Sequence, residues 1–284
     1  AYFSKWNPSA CRPQRVCRCA LEKIFGPRFM NFIRSLVHMA WMAITVIPWA
    51  LVVVAASMFI SSNRLYWWCV GWLSNAIHSG MFILGIQNRI TGMENLPLGE
   101  KDPVVLLVKH QSTWETFLMP VIMPHPLAYV FKKELLSVPF FGWAMGRLDM
   151  IHIDRSQRAQ AFQKVVTQGK RLMEQGVWVI MFPEGTRIPR GQQGVYKTGG
   201  TRLAIEAGVP VVPIAVTSAK CWPTKAFIKK PGIVDISIGK PISSVGRQPE
   251  ELMQEVEAWI EAEMRRLDPE AYPDAAPQPE SSAA

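Results

Sequence analysis

From Leu36 to Ile60 the chain runs for 25 residues without an Asp, Glu, Lys or Arg. As a helix this segment reaches about 37 Å, enough to cross a bilayer. A second apolar stretch, Leu65 to Ile86, follows the tight connection Ser61-Ser-Asn-Arg64. Ser74, Asn75, His78 and Ser79 dilute it, while Tyr66, Trp67, Trp68 and Trp72 are of the type that favours a membrane–water interface. Pro48 supplies a kink in the first segment. The expectation is a membrane-anchoring helical hairpin over residues 30–89, crossing the bilayer twice or lying in one leaflet. Either way Arg34 and Arg89 fall on the same side, which the positive-inside preference places in the cytoplasm. Both runs are too long for a signal peptide and no clear cleavage site follows. His38 and His78, inside the hairpin, read as packing or interfacial residues.

The apolar excess before residue 90 dominates a composition of 49% hydrophobic and 19% charged residues. The 284 residues allow one sizeable core with appendages. Formal net charge is +9: residues 1–34 hold seven Lys/Arg against Glu22, the last 17 residues carry −4, and the remainder is +7. A basic body suits anionic lipid and phosphorylated substrates. Nucleic acid is not expected as a partner, for no binding motif accompanies the charge. Cysteines at 11, 17, 19, 69 and 221 make neither a zinc pattern nor a disulfide framework and read as reduced. Residues 1–29 read as a basic extension, with Met30 the natural start of the hairpin. The Pro-, Ala-, Ser- and acid-rich stretch 268–284 reads as a disordered tail.

From Ile90 to residue 267 short apolar runs alternate with helical patterns. Candidate strands are Val104–Val108, Ala128–Phe131, Met150–Ile153, Val177–Phe182, Val211–Val216 and Ile233–Ile238. Candidate helices are Trp114–Ile122, Gln157–Gln175, Gly200–Ala207 and Glu250–Leu267. The fold class is α/β: a largely parallel central sheet flanked by helices, preceded by the hydrophobic hairpin.

Val104–Val108 ends abruptly in Lys109-His110-Gln-Ser-Thr-Trp-Glu115. Ser112 or Thr113 suits the cap of a helix beginning there, which sets His110 on the strand-to-helix turn and Glu115 in the first helical turn. Residues five apart on one helix diverge, so the two side chains meet only if His110 lies outside the helix. Glu115 then orients one ring nitrogen and leaves the other as a proton acceptor. The alternative is a histidine capping a turn beside a solvated glutamate.

The spacing His110-x4-Glu115, followed by Phe182-Pro-Glu-Gly-Thr-Arg187, resembles the lysophosphatidate (1-acylglycerol-3-phosphate) acyltransferase family. The likeness runs from about Ile90 to Pro241, and departs from the family in one place, where Glu115 stands for the usual aspartate. The resemblance further selects Lys132, Leu135, Gly142 and Arg155, and implies that Lys132 and Arg155 hold the acceptor's phosphate. Lys133 is the local competitor. In a parallel sheet Glu184, Gly185, Thr186 and Arg187 follow a strand onto the same carboxyl edge as His110. There Gly185 admits close backbone approach and Arg187 adds a bidentate fork for phosphate. These four are expected to bind substrate, a local salt bridge being the plainer reading of Glu184 and Arg187. Val211–Val216 resembles the family's last block, on the acyl-chain side, with Pro213 expected at an edge or bulge.

No Gly-x-Ser-x-Gly elbow and no cysteine beside a base offers a covalent nucleophile. No histidine pair has zinc spacing, and no dinucleotide glycine motif or P-loop is present. Neither metal nor cofactor is expected, and His125 and His152 read as structural. The implied activity is transfer of a fatty acyl group from an acyl thioester, acyl-CoA or acyl-carrier protein, to the sn-2 hydroxyl of lysophosphatidate, forming phosphatidate. The expected partners are the lysophospholipid acceptor, the thioester donor and membrane lipid. The expected location is a membrane, such as a bacterial inner membrane, with the catalytic domain facing the cytoplasm. Another lyso-lipid acceptor such as lyso-ornithine lipid, a lipid hydrolase using the same dyad, and a silent lipid-binding scaffold are the alternatives.

Overall fold

The computed structural model describes residues 15–272 apart from 98, 100, 101 and 155–157. The apolar runs become strands of one sheet: β1 Ile86–Thr91, β2 Val105–Val108, β3 Leu127–Lys132, β4 Ile151–Ile153, β5 Trp178–Met181, β6 Val211–Val216 and β7 Gly232–Ile238. Their order is β1-β7-β6-β2-β5-β3-β4. Only β6 and β7 pair antiparallel; the other neighbours are parallel. Around the sheet lie α1 Arg15–Ala56, α2 Ser62–Ser79, α3 Trp114–Ile122, α4 Phe141–Met145, α5 Arg158–Glu174, α6 Gly199–Ala207 and α7 Pro249–Leu267.

Strand β2 shows why its sequence is apolar without alternation: it is central, and both faces are covered. Leu106 and Val108 pack in one core with Tyr66, Ile77, Trp114 and Leu118 from α2 and α3. Val105 and Leu107 pack in the other with Leu203, Val256 and Ile260 from α6 and α7.

Four expectations need correction. Strand β1 was not expected. It pairs with β7 along six residues and runs through the domain boundary placed at residues 89 and 90, so Arg89 belongs to the sheet, where it is ion-paired with Asp235. The second apolar segment is not a second span: α2 passes through a π-helical turn, Gly80–Leu84, into β1, and Gly26–Ala56 is the one helix among the described residues long and apolar enough to cross a membrane. Part of its apolar surface is spent on the body: Tyr66, Val70, Trp72 and Ile77 are buried, whereas Trp67 and Trp68 stay exposed, and the Trp72 ring meets Phe117 of α3 at 5.8 Å. Pro213 lies in a central strand rather than at an edge. It does sit at a bulge, since Ile214 pairs with Ile238 but Val211 with Ile242, one residue out of register. Finally, Asp268 is buried and ion-paired with Arg190 at 2.7 Å, so the ordered body reaches Tyr272; residues 273–284 lie outside the described part.

Helix α1 continues through Met30, and its non-helical backbone is at Gly26 rather than Pro48. The stretch Gly26–Ala56 is long and apolar enough to cross a membrane, and only 11% of its most apolar window is buried. It is nevertheless joined to the body. Ser35 Oγ accepts the N–H of Lys229 at 2.8 Å, His38 Nε2 donates to the Ala76 carbonyl at 3.2 Å, and Trp72 Nε1 donates to Thr45 Oγ1 at 3.1 Å.

Candidate active site

His110 follows β2 at the carboxyl edge of the sheet, and Glu115 lies in the first turn of α3. The two meet, with His110 Nδ1 3.0 Å from Glu115 Oε1. The same oxygen accepts the amides of Gln111 at 2.7 Å and Ser112 at 2.6 Å. Its partner Oε2 accepts the hydroxyls of Ser112 at 2.5 Å and Ser218 at 2.6 Å. Thr113 is the helix N-cap by backbone, but the hydroxyl that accepts the Trp114 amide belongs to Ser112, at 2.9 Å. Glutamate's extra methylene therefore lets the carboxylate reach back over the helix start while still holding the imidazole.

Glu115 is wholly buried. Burial pushes its carboxyl up, but the hydrogen bonds from His110, Ser112 and Ser218 and the charge of His110 outweigh that, holding it below its ordinary value. The buried partner is thus an anion. The His110 ring stacks on Phe182, with centroids 3.9 Å apart and planes at 17°, and its side chain keeps 13% exposure. With Nδ1 turned to Glu115, Nε2 is left on the side of the cavity that His110 lines.

That cavity, about 1620 Å³, is lined in part by Val46, Trp49, Ala50 and Val53 of α1 and by Tyr66 and Val70 of α2. Lys132, Thr186, Arg187 and Lys197 line it elsewhere. Lys132 closes β3, whereas its competitor Lys133 is turned to Asp154 in an ion pair. Gly142 is needed for space: a Cβ there would lie 2.4 Å from the Leu135 carbonyl oxygen. Gly185 has φ +64°, and a Cβ on it would be 3.0 Å from Lys197 Nζ. Arg155 lies outside the described residues, so the structure does not place it.

Glu184 is not where a substrate-binding group is expected. It is 3% exposed and does not line the cavity. Its Oε1 meets the ammonium of Lys109 at 2.7 Å and its Oε2 accepts the backbone N–H of His110 at 3.0 Å. Burial pushes this carboxyl up and Lys109 pulls it part of the way back. The physical reason for the inward turn is Lys109, an ammonium with no exposed surface that lies between Glu184 and Glu261 of α7. A buried cation needs an anion, and Glu184 supplies one.

Residues 87–217 match a family model described as Acyltransferase. A 1-acyl-sn-glycerol-3-phosphate acyltransferase of Pseudomonas aeruginosa is 44% identical over 201 residues, 70% of this chain and 77% of that protein. The chain belongs to the 1-acyl-sn-glycerol-3-phosphate acyltransferase family. A Saccharomyces cerevisiae protein of the same name is 31% identical over 176 residues, 59% of this chain and 55% of the yeast protein. The crystal structure of a 1-acyl-sn-glycerophosphate acyltransferase from Thermotoga maritima superposes with a TM-score of 0.71 over 89% of this chain and all of that one, at 22% identity, a likeness of fold.

In this acyltransferase several residues around His110 escaped the sequence reading. Lys109 carried a signal, a lysine at the end of an apolar strand. Glu261 carried one too, a carboxylate beside Ile260 on the apolar face of α7. Ser218 and Tyr196 carried none. Ser218 reaches Glu115 from beyond β6, and Tyr196 donates to Glu261 at 2.9 Å, contacts that exist only once the chain is folded.

Proposed function

We propose that this acyltransferase moves a fatty acyl group from a thioester donor to the sn-2 hydroxyl of lysophosphatidate, with His110 as general base and Glu115 as its orienting anion. The observation that carries this reading is the ring nitrogen pair of His110: Nδ1 is held at 3.0 Å by a buried carboxylate, and Nε2 is turned to a largely apolar cavity that also holds the cations Lys132, Arg187 and Lys197. Nε2 takes the proton of the acceptor hydroxyl as its oxygen attacks the thioester carbonyl, and Glu115 stabilises the imidazolium. Collapse of the tetrahedral intermediate expels the thiolate, which leaves readily, so the step needs no enzyme ester.

The amides of His110, Gln111 and Ser112 are already committed to Glu184 and Glu115. The N–H of Thr186, in the turn that lines the cavity, has no hydrogen bond among the described residues and is the better donor to the developing oxyanion. Lys132 and Arg187 suit the acceptor's phosphate, a dianion that calls for more than one cation. The apolar α1 and α2 side chains that line the cavity suit fatty acyl chains. Helix α1, largely exposed and uncharged from Leu36 onward, is assigned to lipid, with the catalytic body on the cytoplasmic side.

The test is turnover by purified protein given labelled acyl-CoA or acyl-carrier protein and a panel of lyso-lipids. Phosphatidate from lysophosphatidate, with poor use of acceptors lacking a terminal phosphate, is expected. Release of free fatty acid without any acceptor would assign the dyad to hydrolysis instead.

A further inference from the structure

We propose that the connection between β6 and β7 forms a second anion subsite, on the opposite flank of His110 from the acceptor's cations, in which Lys225 takes the phosphate of the acyl donor's carrier arm. The proposal rests on the acyltransferase reading above. Residues 217–231 contain Lys220, Lys225, Lys229 and Lys230 and no Asp or Glu. Pro223, Thr224 and Lys225 line the same cavity as His110. In the strand order β6-β2-β5-β3, Lys132 at the end of β3 and Arg187 beyond β5 approach from one flank of β2. The basic connection leaves β6, on the other.

The backbone at Lys225 is held where lysine gains nothing by itself. Its φ is +59°, and Phe140 is the one other non-glycine residue with positive φ among the described residues. Such conformations persist only when their surroundings impose them, and they concentrate at ligand sites. Here the surroundings are explicit. The Ala226 N–H closes a turn on the Pro223 carbonyl at 3.2 Å, and the Thr224 hydroxyl donates to the carbonyl of Gln111, next to His110. Beneath the turn the Lys229 ammonium donates to the Phe227 carbonyl at 2.8 Å and lies 4.7 Å over the Trp222 ring. The Phe227 ring meets Phe32 of α1 at 5.4 Å. The turn is therefore tied to the catalytic loop on one side and to α1 on the other. Arg190, on the same cavity, is committed to Asp268 and Glu270. Among the described residues Lys225 has no carboxylate within 4 Å.

Acyl transfer requires both substrates at Nε2 together. With the acceptor's phosphate on the β3 and β5 flank, the donor's sulfur must arrive from elsewhere. Both classes of thioester carrier hold that sulfur on a pantetheine arm ending in a phosphate ester. An exposed ammonium beside the catalytic loop, on the unoccupied flank, matches that shared chemistry.

The test compares parent, Lys225→Asn and Lys225→Arg, asparagine being chosen because it tolerates the left-handed backbone without the charge. At saturating lysophosphatidate the donors are acyl-CoA, acyl-carrier protein and the acyl thioester of N-acetylcysteamine, which has no phosphate. Lys225→Asn should raise the KM for the phosphate-bearing donor about tenfold, the loss of one charge-assisted contact. The KM for lysophosphatidate should hold, the parent-to-variant ratio should return to about one with the N-acetylcysteamine thioester, and Lys225→Arg should keep most of the affinity. A rise with acyl-CoA alone assigns the site to the coenzyme's pyrophosphate, and a rise with both donors to the ester they share; either supports it. Binding of free coenzyme A, read by calorimetry without turnover, should weaken in parallel, so the subsite is tested even if the parent transfers no acyl group. Unchanged KM and binding for every phosphate-bearing ligand would overturn the proposal. An equal loss with the phosphate-free thioester, especially one that tracks the anionic lipid content of the vesicles, would also overturn it and give the turn to the lipid surface.

Discussion

The ammonium of Lys109 lies 2.7 Å from one oxygen of Glu184, and the other oxygen of that carboxylate accepts the N–H of His110. Lys109 ends the central strand and Glu184 begins the turn after β5, so the pair locks together the two segments that supply the dyad and the turn beside it. The contact with Glu261 at 2.6 Å extends the lock to the last helix. Two carboxylates thus share one cation out of reach of water.

Replacing that cation should be costly. Lys109→Met leaves both carboxylates unneutralised and should destabilise the protein by roughly 3–5 kcal/mol, the usual cost of breaking a buried pair. Lys109→Met combined with Glu261→Gln removes one of the stranded anions and should recover part of the loss. Thermal melts of the three proteins decide this. A single variant as stable as the parent would show that the pair contributes nothing.

His110→Ala should cut acyl transfer by about 100- to 10,000-fold, the range for a positioned general base, with little change in melting temperature. Glu115→Gln should retain little activity. Glu115→Asp should retain a substantial part, because an anion remains, although its shorter arm reaches Gln111 and Ser112 less well. Steady-state rates with melting curves alongside are the check, and an active, folded His110→Ala protein would sink the assignment.

The phosphate contacts make a selective prediction. Lys132→Ala and Arg187→Ala should each lower use of lysophosphatidate about tenfold, the worth of one charge-assisted contact. The same variants should scarcely affect the already poor use of monoacylglycerol. Lys133→Ala should be nearly silent on both acceptors, since Lys133 is turned to Asp154. Equal proportional losses on the two acceptors would assign Lys132 and Arg187 to structure or to the donor.

Glu115 and Glu184 should act on stability with opposite sign. The folded Glu115 carboxyl titrates below its ordinary 4.5, so its contribution is present above that value and is lost as pH falls through the folded one. Glu184 titrates above 4.5 when folded, so its contribution is present below that value and is lost as pH rises through the folded one. The gap in melting temperature between parent and Glu115→Gln should therefore narrow as pH falls below 4.5. A gap constant from neutral to acid pH would rule this out.

Local sequence was enough to determine most strands and the helices that cover them, and to put His110 and Glu115 within reach of each other. The physical reason is that these depend on near neighbours. An apolar run of strand length must be buried whatever covers it, and a carboxylate in the first turn of a helix reaches back to the loop before it. The same locality makes the apolar character of Leu36–Ile60 visible without coordinates. Tertiary structure decided what depended on distant partners. Ile86–Thr91 reads as the junction of the hairpin and the domain after it until β7, some 145 residues later, offers it a ladder. Trp72 of α2 suits a membrane interface as well as its exposed neighbours Trp67 and Trp68 do, until Phe117 of α3 packs against it. Glu184 follows a strand onto the ligand edge, and only Lys109, arriving from a different strand, turns it inward. The inward turn is a balance of long-range charges in a dry interior, where one unpaired ammonium outweighs any local preference.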